Sequence, residues 1–456
     1  MSTQANKIQT HRFEYATPEN PADFNPADFV EKVISWVKSL VKPGEEIALS
    51  ASGGVDSTIA AFLLDRIVGK DLHAFFIEDG CRRLINNEPE GEVTREIFSK
   101  LNFTVLEVRD EILPPLVGLS DGEEKRKTFI GNYRKVSDRH IGQVGASWIA
   151  DGTIAPDIIE TEGGFKSQHN VGWNYSVGKI EPLASLTKPQ VRRVGEYLDL
   201  PPSFTHRIPC PGPAQIIRTV GEFTEEKLHT GQLASDIIEQ EIETYYTEKH
   251  GKLYLYDEAT GIRTPFQYFG MALDPNMEPD PVLADLARSI LGANAECFKM
   301  DSRTTVVPEE GTRPEIPIYK PVSWIKIDGD IDYDKLNALC VEAWSKLGLP
   351  RILLELCAND APKTRYVVGM RAVESAAAKL ARPVRIDEAA LLEIGKKIAA
   401  HTGASKVHTI SASSHRQRSN SSSCRSGMWL PFRQRITTII PLSRYEILLG
   451  RRHPFS

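Results

Sequence analysis

An apolar run, Ile47-Ala48-Leu49-Ser50-Ala51, breaks into Ser52-Gly53-Gly54-Val55-Asp56-Ser57-Thr58 and resumes as helix-forming residues from Ile59 to Leu64. That is the pattern of a strand, a glycine turn and a helix, and it constrains the fold more than any other stretch. Paired glycines let the backbone turn tightly and approach a ligand closely. Main-chain N–H groups at the start of the helix, with the dipole behind them, favour an anion. The hydroxyls of Ser52, Ser57 and Thr58 are expected to add donors. Asp56 suits an anion nest only if a cation lies between the two, as in magnesium pyrophosphate. The loop lacks the Gly-Lys-Ser/Thr ending of a Walker P-loop. The competing reading is an ordinary serine- and glycine-rich turn.

Strand and helix signals alternate around this loop. Asp28 is placed to cap a helix over 29–41, with Val33, Trp36, Val37 and Leu40 on one face. Strands are expected at 46–50, 72–77, 103–108 and 147–150, and helices at 58–68, 91–100 and 188–198. The alternation predicts an α/β domain, a parallel doubly wound sheet with helices on both faces. Ligands on such sheets bind at the carboxyl ends of strands. The glycine loop, Glu78-Asp79-Gly80 and Asp151-Gly152-Thr153 each follow a strand at that edge.

We read 1–27 as a polar lead-in and 28–221 as this domain. Beyond 221 a charged helix over 225–248 is expected. The proline-punctuated 250–320 reads as an insertion or long loops. Apolar runs at 324–327, 351–354 and 366–371 and a helix at 387–400 give 222–407 an α+β character. No internal repeat is evident.

At 456 residues with 41% hydrophobic content, the chain suits two or three domains with sizeable cores. A net charge of −6 gives no case for nucleic-acid binding. The six cysteines are scattered, with no CxxC pair, which suits reduced thiols. No apolar signal segment opens the chain, and no run approaches the roughly 20 apolar residues of a membrane span. A cytoplasmic location is the expectation.

Four further strings follow the Ser52–Ser57 loop in order: Glu124-Lys125-Arg126-Lys127 with Ile130-Gly131, Asp151 to Glu160, Lys166-Ser167-Gln168-His169-Asn170-Val171-Gly172, and Arg207-Ile208-Pro209-Cys210-Pro211-Gly212-Pro213. The loop resembles the pyrophosphate loop of ATP pyrophosphatases. The five strings together resemble the synthetase part of GMP synthases, over about 28–250 and again over 362–407. The resemblance implies an adenine nucleotide alpha hydrolase-like fold followed by an α+β dimerisation domain, and hence a homodimer. It implies ATP-dependent amination of XMP to GMP through an adenylated XMP, with magnesium as cofactor and AMP and pyrophosphate released. It assigns ATP binding to Ser52, Gly53, Gly54, Val55, Asp56, Ser57, Thr58, Asp79, Gly80 and Lys166, with Asp56 also the metal ligand. Asp56 and Lys166 would be catalytic, and Arg126 would bind XMP. Asp157 and Glu160 could partner magnesium or a lysine, or merely cap. No string matches the family's glutaminase nucleophile, so ammonia would be free or supplied by a separate glutamine amidotransferase subunit. The alternatives are another ATP-pyrophosphatase ligase, of NAD synthetase or tRNA-thiolase type, and an inactive nucleotide-binding paralogue. An NAD synthetase leaves the Glu124–Lys127 and Arg207–Pro213 strings unexplained, a thiolase would need reactive cysteines and none here lies in a paired motif, and the inactive paralogue is favoured by the altered tail.

The family ending, Pro-Pro-Ala-Thr-Ile-Glu, is expected soon after Ser405-Lys406-Val407. The chain instead reads Ser414-His415-Arg416-Gln417-Arg418-Ser419-Asn420-Ser421, and 408–456 holds eight arginines against one glutamate. The codons CAC-CGG-CAA-CGA-TCG-AAT-TCG, preceded by C and read one base earlier, encode Pro-Pro-Ala-Thr-Ile-Glu-Phe. A change of reading frame between 408 and 415 would account for the basic tail; the competing reading is a natural basic tail that binds an acidic partner.

Overall fold

The computed structural model describes residues 9–410, except 19, 163–176, 206–214, 255, 258–261, 264–265, 293–294, 307–317, 328–331, 350–351, 378–379 and 385. Lys166, the Lys166–Gly172 and Arg207–Pro213 strings and the basic tail therefore lie outside the described residues, and so does the side chain of Glu160.

Six parallel strands build the first sheet, in the order Thr10–Arg12, Gly178–Glu181, Trp148–Ala150, Ile47–Ser50, Leu72–Glu78, Phe103–Glu107. Successive residues of the central strand serve opposite faces. Ile47 and Leu49 pack with Phe29, Val33, Val37, Ile59, Leu63, Val191 and Val194. Ala48 joins Phe75, Ile77, Phe129, Val136 and Ile141 on the other face. Apolar strands with both faces covered mark a doubly wound parallel sheet, as expected. From Ile47–Ser50 the chain steps one way to Leu72–Glu78 and Phe103–Glu107, then crosses back to Trp148–Ala150 on the other side. The topological switch, where ligands bind in such sheets, lies between Ser50 and Ala150.

Two expectations fail at the amino end. The segment from residue 9 is not a loose lead-in: Thr10–Arg12 pairs in parallel with Lys179–Glu181, and Phe13 and Phe24 are buried. The first helix is Pro26–Leu40, capped by Asn25, whose side chain accepts from Ala27 N and Asp28 N. Pro26 at the first helical position lacks the N–H that would otherwise go unpaired. Asp28 instead accepts from Tyr15 and Lys32.

The helix Glu225–His250 joins the first sheet to a second. Gln232 donates to the carbonyls of Gly80 and Arg82 at 3.0 and 2.6 Å, and Asp236 accepts from Asn86 N and Asn87 N. Two buried lysines hold the connection. Lys125 Nζ donates to the carbonyls of Thr219 and Gly221, both at 2.7 Å. Lys227 Nζ donates to those of Val220 and Glu222 and to Asp274. The second sheet runs Phe266–Leu273, Val367–Ala377, Lys406–Ile410, Ile352–Ala358, Ile318–Ile327, Ala295–Val306, Met277–Pro279, with Leu380–Pro383 paired to Val367–Ala377. The stretch read as long loops thus contributes strands of this sheet and the helix Pro281–Leu291. Among the described residues no helix is long and apolar enough to cross a membrane.

Candidate active site

Past Ser50, Gly53 takes φ +74°, a conformation open to glycine but strained for other residues. A Cβ there would also stand 2.8 Å from Glu90 Oε1. Gly54 then starts the helix Val55–Val68 with no side chain capping it. The helices starting at Pro26, Gly122, Glu225, Pro281 and Tyr333 are capped by Asn25, Asp121, Thr224, Asp280 and Asp332, while Glu90–Ile97 and Glu388–Thr402 also lack a side-chain cap. The uncapped first turn lies at the carboxyl edge of the sheet, where an anion satisfies its N–H groups.

The hydroxyls behave differently from expectation. Ser57 and Thr58 donate to the Gly54 carbonyl at 3.2 and 2.9 Å. Ser57 Oγ also accepts from Ser52 N at 3.1 Å and lies 3.1 Å from Ser52 Oγ. Each hydroxyl has one proton, so Ser57 and Thr58 spend theirs holding the loop in shape. Thr58 and Val55 are buried. Of the three hydroxyl side chains, Ser52 is the exposed one.

The second strand-end loop presses against the first. A Cβ on Gly152 would lie 2.6 Å from Ser57 N and 2.7 Å from Asp56 C, so only glycine lets the two backbones meet. Its neighbour Asp151 is buried and paired with Lys179 Nζ at 2.6 Å; Lys179 also reaches Glu181 Oε1 at 2.7 Å. Arg12 Nε binds Glu181 Oε2 at 2.8 Å, and Thr153 Oγ1 donates to Glu181 at 3.0 Å. Burial pushes the Asp151 carboxyl up, with Lys179 only partly offsetting it. Burial also opposes charge on Lys179 and Glu181, but their ionic partners outweigh it: Lys179 is raised and Glu181 lowered.

Asp56 projects from the first turn of the helix, and both its oxygens accept from Lys188 Nζ, at 2.8 and 2.7 Å. Lys188 is the first residue of the helix Lys188–Tyr197. Sequence reasoning missed it, although a signal existed: a cation at a helix start opposes the dipole unless an anion faces it. Among the described residues no group of three or more His, Cys, Asp or Glu is arranged to hold a metal. Asp56 supplies one carboxylate beside an uncapped helix. That fits magnesium, which takes one or two carboxylates and completes its shell with phosphates and water.

Asp79 was expected to meet the nucleotide, but its side chain is buried. It accepts from Cys81 N at 2.8 Å and pairs with Arg82 Nε at 3.0 Å. Gly80, at φ +77°, packs toward Arg109 and Leu113. Arg83 binds Glu90 Oε1 at 2.9 Å, and this buried pair backs Gly53. Burial, reinforced by the neighbouring Asp79, pushes Glu78 up to about 7. On the helix Gly122–Val144, Tyr133 OH lies 3.0 Å from Ser50 Oγ. Arg126 sits seven residues earlier, about 10 Å along the axis, and pairs with Glu123. A crossover helix runs antiparallel to its strands, so its amino end and Arg126 lie toward the carboxyl edge. Arg126 and Asp56 thus share an edge without an observed contact. Asp157 accepts from Ile154 N, closing the turn before its helix.

No family model matches the sequence. Over 221 residues the chain is 39% identical to one of the subunits of the GMP synthase [glutamine-hydrolyzing] of Methanothermobacter thermautotrophicus, covering 48% of this chain and 70% of that protein. The same subunit from Archaeoglobus fulgidus is 35% identical, over 57% of this chain and 88% of its own. That of Methanosphaerula palustris is 33% identical, over 58% and 91%. Among solved structures, the NMN synthetase of Francisella tularensis gives a TM-score of 0.34 at 19% identity, over 52% of this chain and 100% of its own. The NH3-dependent NAD synthetase of Campylobacter jejuni gives 0.33 at 14%, over 40% and 77%. Likenesses this slight carry no weight beside the strand order itself.

Proposed function

This chain belongs to the family of those GMP synthase subunits, and on that premise we propose that it aminates XMP to GMP at the expense of ATP. The observation that carries the reading is the uncapped glycine loop 52–57, pressed by Gly152 at the switch of the first sheet. The loop backbone and the first turn of Val55–Val68 bind the ATP phosphates. The XMP 2-oxygen attacks the α-phosphorus and pyrophosphate leaves; ammonia then attacks the purine C2 and AMP leaves. Magnesium, held by Asp56 and the phosphates, would supply positive charge to the departing pyrophosphate. The ion pair with Lys188 keeps Asp56 oriented along that edge. Asp151, Lys179, Glu181 and Arg12 fix the loop that backs Ser57, so the cradle needs little reorganisation when the nucleotide arrives. Arg126, at the same edge, takes the role of an XMP contact, and Lys166 that of a phosphate contact. No protein nucleophile is required. The relatives are subunits of glutamine-hydrolysing enzymes, which supports a separate polypeptide as the source of ammonia.

The test is to incubate the purified chain with XMP, ATP, magnesium and ammonium, and to follow GMP and pyrophosphate together. Equimolar release, dependent on XMP, is expected. Pyrophosphate release without XMP dependence would transfer the chain to a different ATP-pyrophosphatase ligase. The resemblance also implies a homodimer, and that assembly is part of the proposal.

A further inference from the structure

A carboxylate stands against the glycine loop. A Cβ on Gly53 would lie 2.8 Å from Glu90 Oε1 and 2.9 Å from its Cδ, so the carboxyl group packs directly on that glycine. Glu90 is buried and opens the helix Glu90–Ile97, where the dipole favours an acid. Its charge nonetheless adjoins a loop that, on the reading above, receives the phosphates of ATP. Like charges at close range oppose each other, more strongly in the interior than in water. Arg83 answers that charge: its Nε lies 2.9 Å from Glu90 Oε1, with both side chains buried. The neighbouring Arg82 pairs with Asp79 at 3.0 Å, so the two arginines divide the two carboxylates between them.

Local structure brings the pair together. Leu84–Ile85 and Glu88–Pro89 pair as a hairpin that turns at Asn86 and Asn87, with φ +52° and +66°, the positive pair that a tight hairpin turn demands. Arg83 and Glu90 stand at its two feet, and Glu90 N donates to the Arg83 carbonyl at 3.2 Å. The helix Glu225–His250 holds this hairpin from foot to tip. Gln232 donates to the carbonyls of Gly80 and Arg82, Asp236 accepts from Asn86 N at 2.9 Å and Asn87 N at 2.7 Å, and Glu239 lies 3.7 Å from Arg83. Positions 232, 236 and 239 share one face at helical spacing. Arg83 is thus fixed between Glu90 and the helix that joins the two sheets.

We propose that Arg83 and Glu90 are positioning residues for ATP: Glu90 braces the glycine turn, and Arg83 cancels the Glu90 charge so that the loop receives phosphates. This inference rests on the proposed ATP site at 52–57. Glu90 supplies shape, which a neutral isostere supplies as well. Arg83 supplies charge, which is needed only while Glu90 carries its own. A pair that merely stabilised the fold would behave otherwise: loss of either partner, or of both, would weaken the protein and its ligand binding together.

Calorimetric titration of the full chain and three variants with ATP and magnesium tests this. Arg83→Met leaves the Glu90 carboxylate uncompensated and should weaken ATP binding at least roughly tenfold. Glu90→Gln keeps the shape and should bind ATP within about threefold of the parent, and the double variant Arg83→Met/Glu90→Gln should return to within about threefold as well. Arg83→Met with parental affinity, or a double variant as weak as Arg83→Met, overturns the proposal. Removing one partner of a buried pair is strongly destabilising. Where Arg83→Met does not fold, Arg83→Gln, neutral but still a donor, takes its place alone and in the double variant, and the same two outcomes decide. A parent that binds no ATP overturns the reading of 52–57 and this inference with it. A parent that binds ATP while all three variants match it overturns the inference alone.

Discussion

In the proposed reaction Asp56 carries the largest functional demand on a single side chain, yet little of the fold rests on it. Its pair with Lys188 leaves the two side chains 24% and 25% exposed, and a pair of that kind contributes about 1 kcal/mol or less. Asp56→Asn should therefore lower pyrophosphate release at least roughly a hundredfold, about 2.7 kcal/mol of barrier, while moving Tm by only about 4 °C or less. Release assays and thermal melts on the same preparation check both halves; activity within a few-fold of the parent would end the metal role. Glu78 gives a pH signature. Its folded pKa, up to about 7, lies above the ordinary glutamate value of 4.5. Between those values the folded state binds more protons than the unfolded state, so this group's contribution falls as pH rises from 4.5 to 7. The total is of the order of 3 kcal/mol. Glu78→Gln should therefore gain stability relative to the parent between pH 5 and pH 8, read as the difference of two melting curves. Equal pH slopes would show that Glu78 titrates normally. Gly53, Gly54 and Asp56 were legible because backbone demand and charge show in residue type. The inward turn of Asp79 and the Asp56–Lys188 pair were not, because each depends on a partner set by tertiary packing.

At the scale of elements, the two strand-end loops act as one unit because Gly152 has no side chain. Gly152→Ala would place a methyl against the Asp56–Ser57 backbone, which lies in the first turn of a buried helix and cannot swing aside. The expected cost is about 1–3 kcal/mol of stability, with ATP affinity falling at least roughly tenfold. Calorimetric titration with ATP and a melt of the variant measure the two. Unchanged ATP binding would separate the second loop from the site. The apolar strands 47–50, 72–78, 103–107 and 148–150 were readable from composition. Gly178–Glu181 and Thr10–Arg12 were missed because they are charged: buried Lys179, Glu181 and Asp151 pair with one another, and exposed Arg12 completes the neutralisation, which no periodicity reveals. The proline-rich region misled for a related reason. Pro279 ends an edge strand, Pro281 opens a helix, and Pro321 pairs with Arg303 just past a register break. These are the places where a missing N–H is tolerated.

For the whole molecule, the parallel sheet was legible from alternating elements, whereas the mixed second sheet was not. Its central pair, Ile352–Ala358 and Lys406–Ile410, joins segments far apart in sequence, and local patterns do not reveal such partners. The described elements proposed to bind ATP lie before residue 200, far along the chain from the basic tail. The strand Lys406–Ile410 is paired on both sides at the centre of the second sheet. In the family that following string grips XMP; here it reads from His415 onward as arginine- and serine-rich sequence. The chain as written should therefore bind ATP but hold XMP poorly. Replacing the stretch from His415 with a Pro-Pro-Ala-Thr-Ile-Glu ending should tighten XMP binding at least roughly tenfold, about 1.4 kcal/mol, and leave ATP affinity within about twofold. Calorimetry on the two chains, with each ligand separately, decides the matter. Equal XMP affinities would mean that the ending is dispensable or that the inferred change of frame did not occur. A parallel gain for ATP would mean that the tail disturbs the first sheet rather than the XMP contacts.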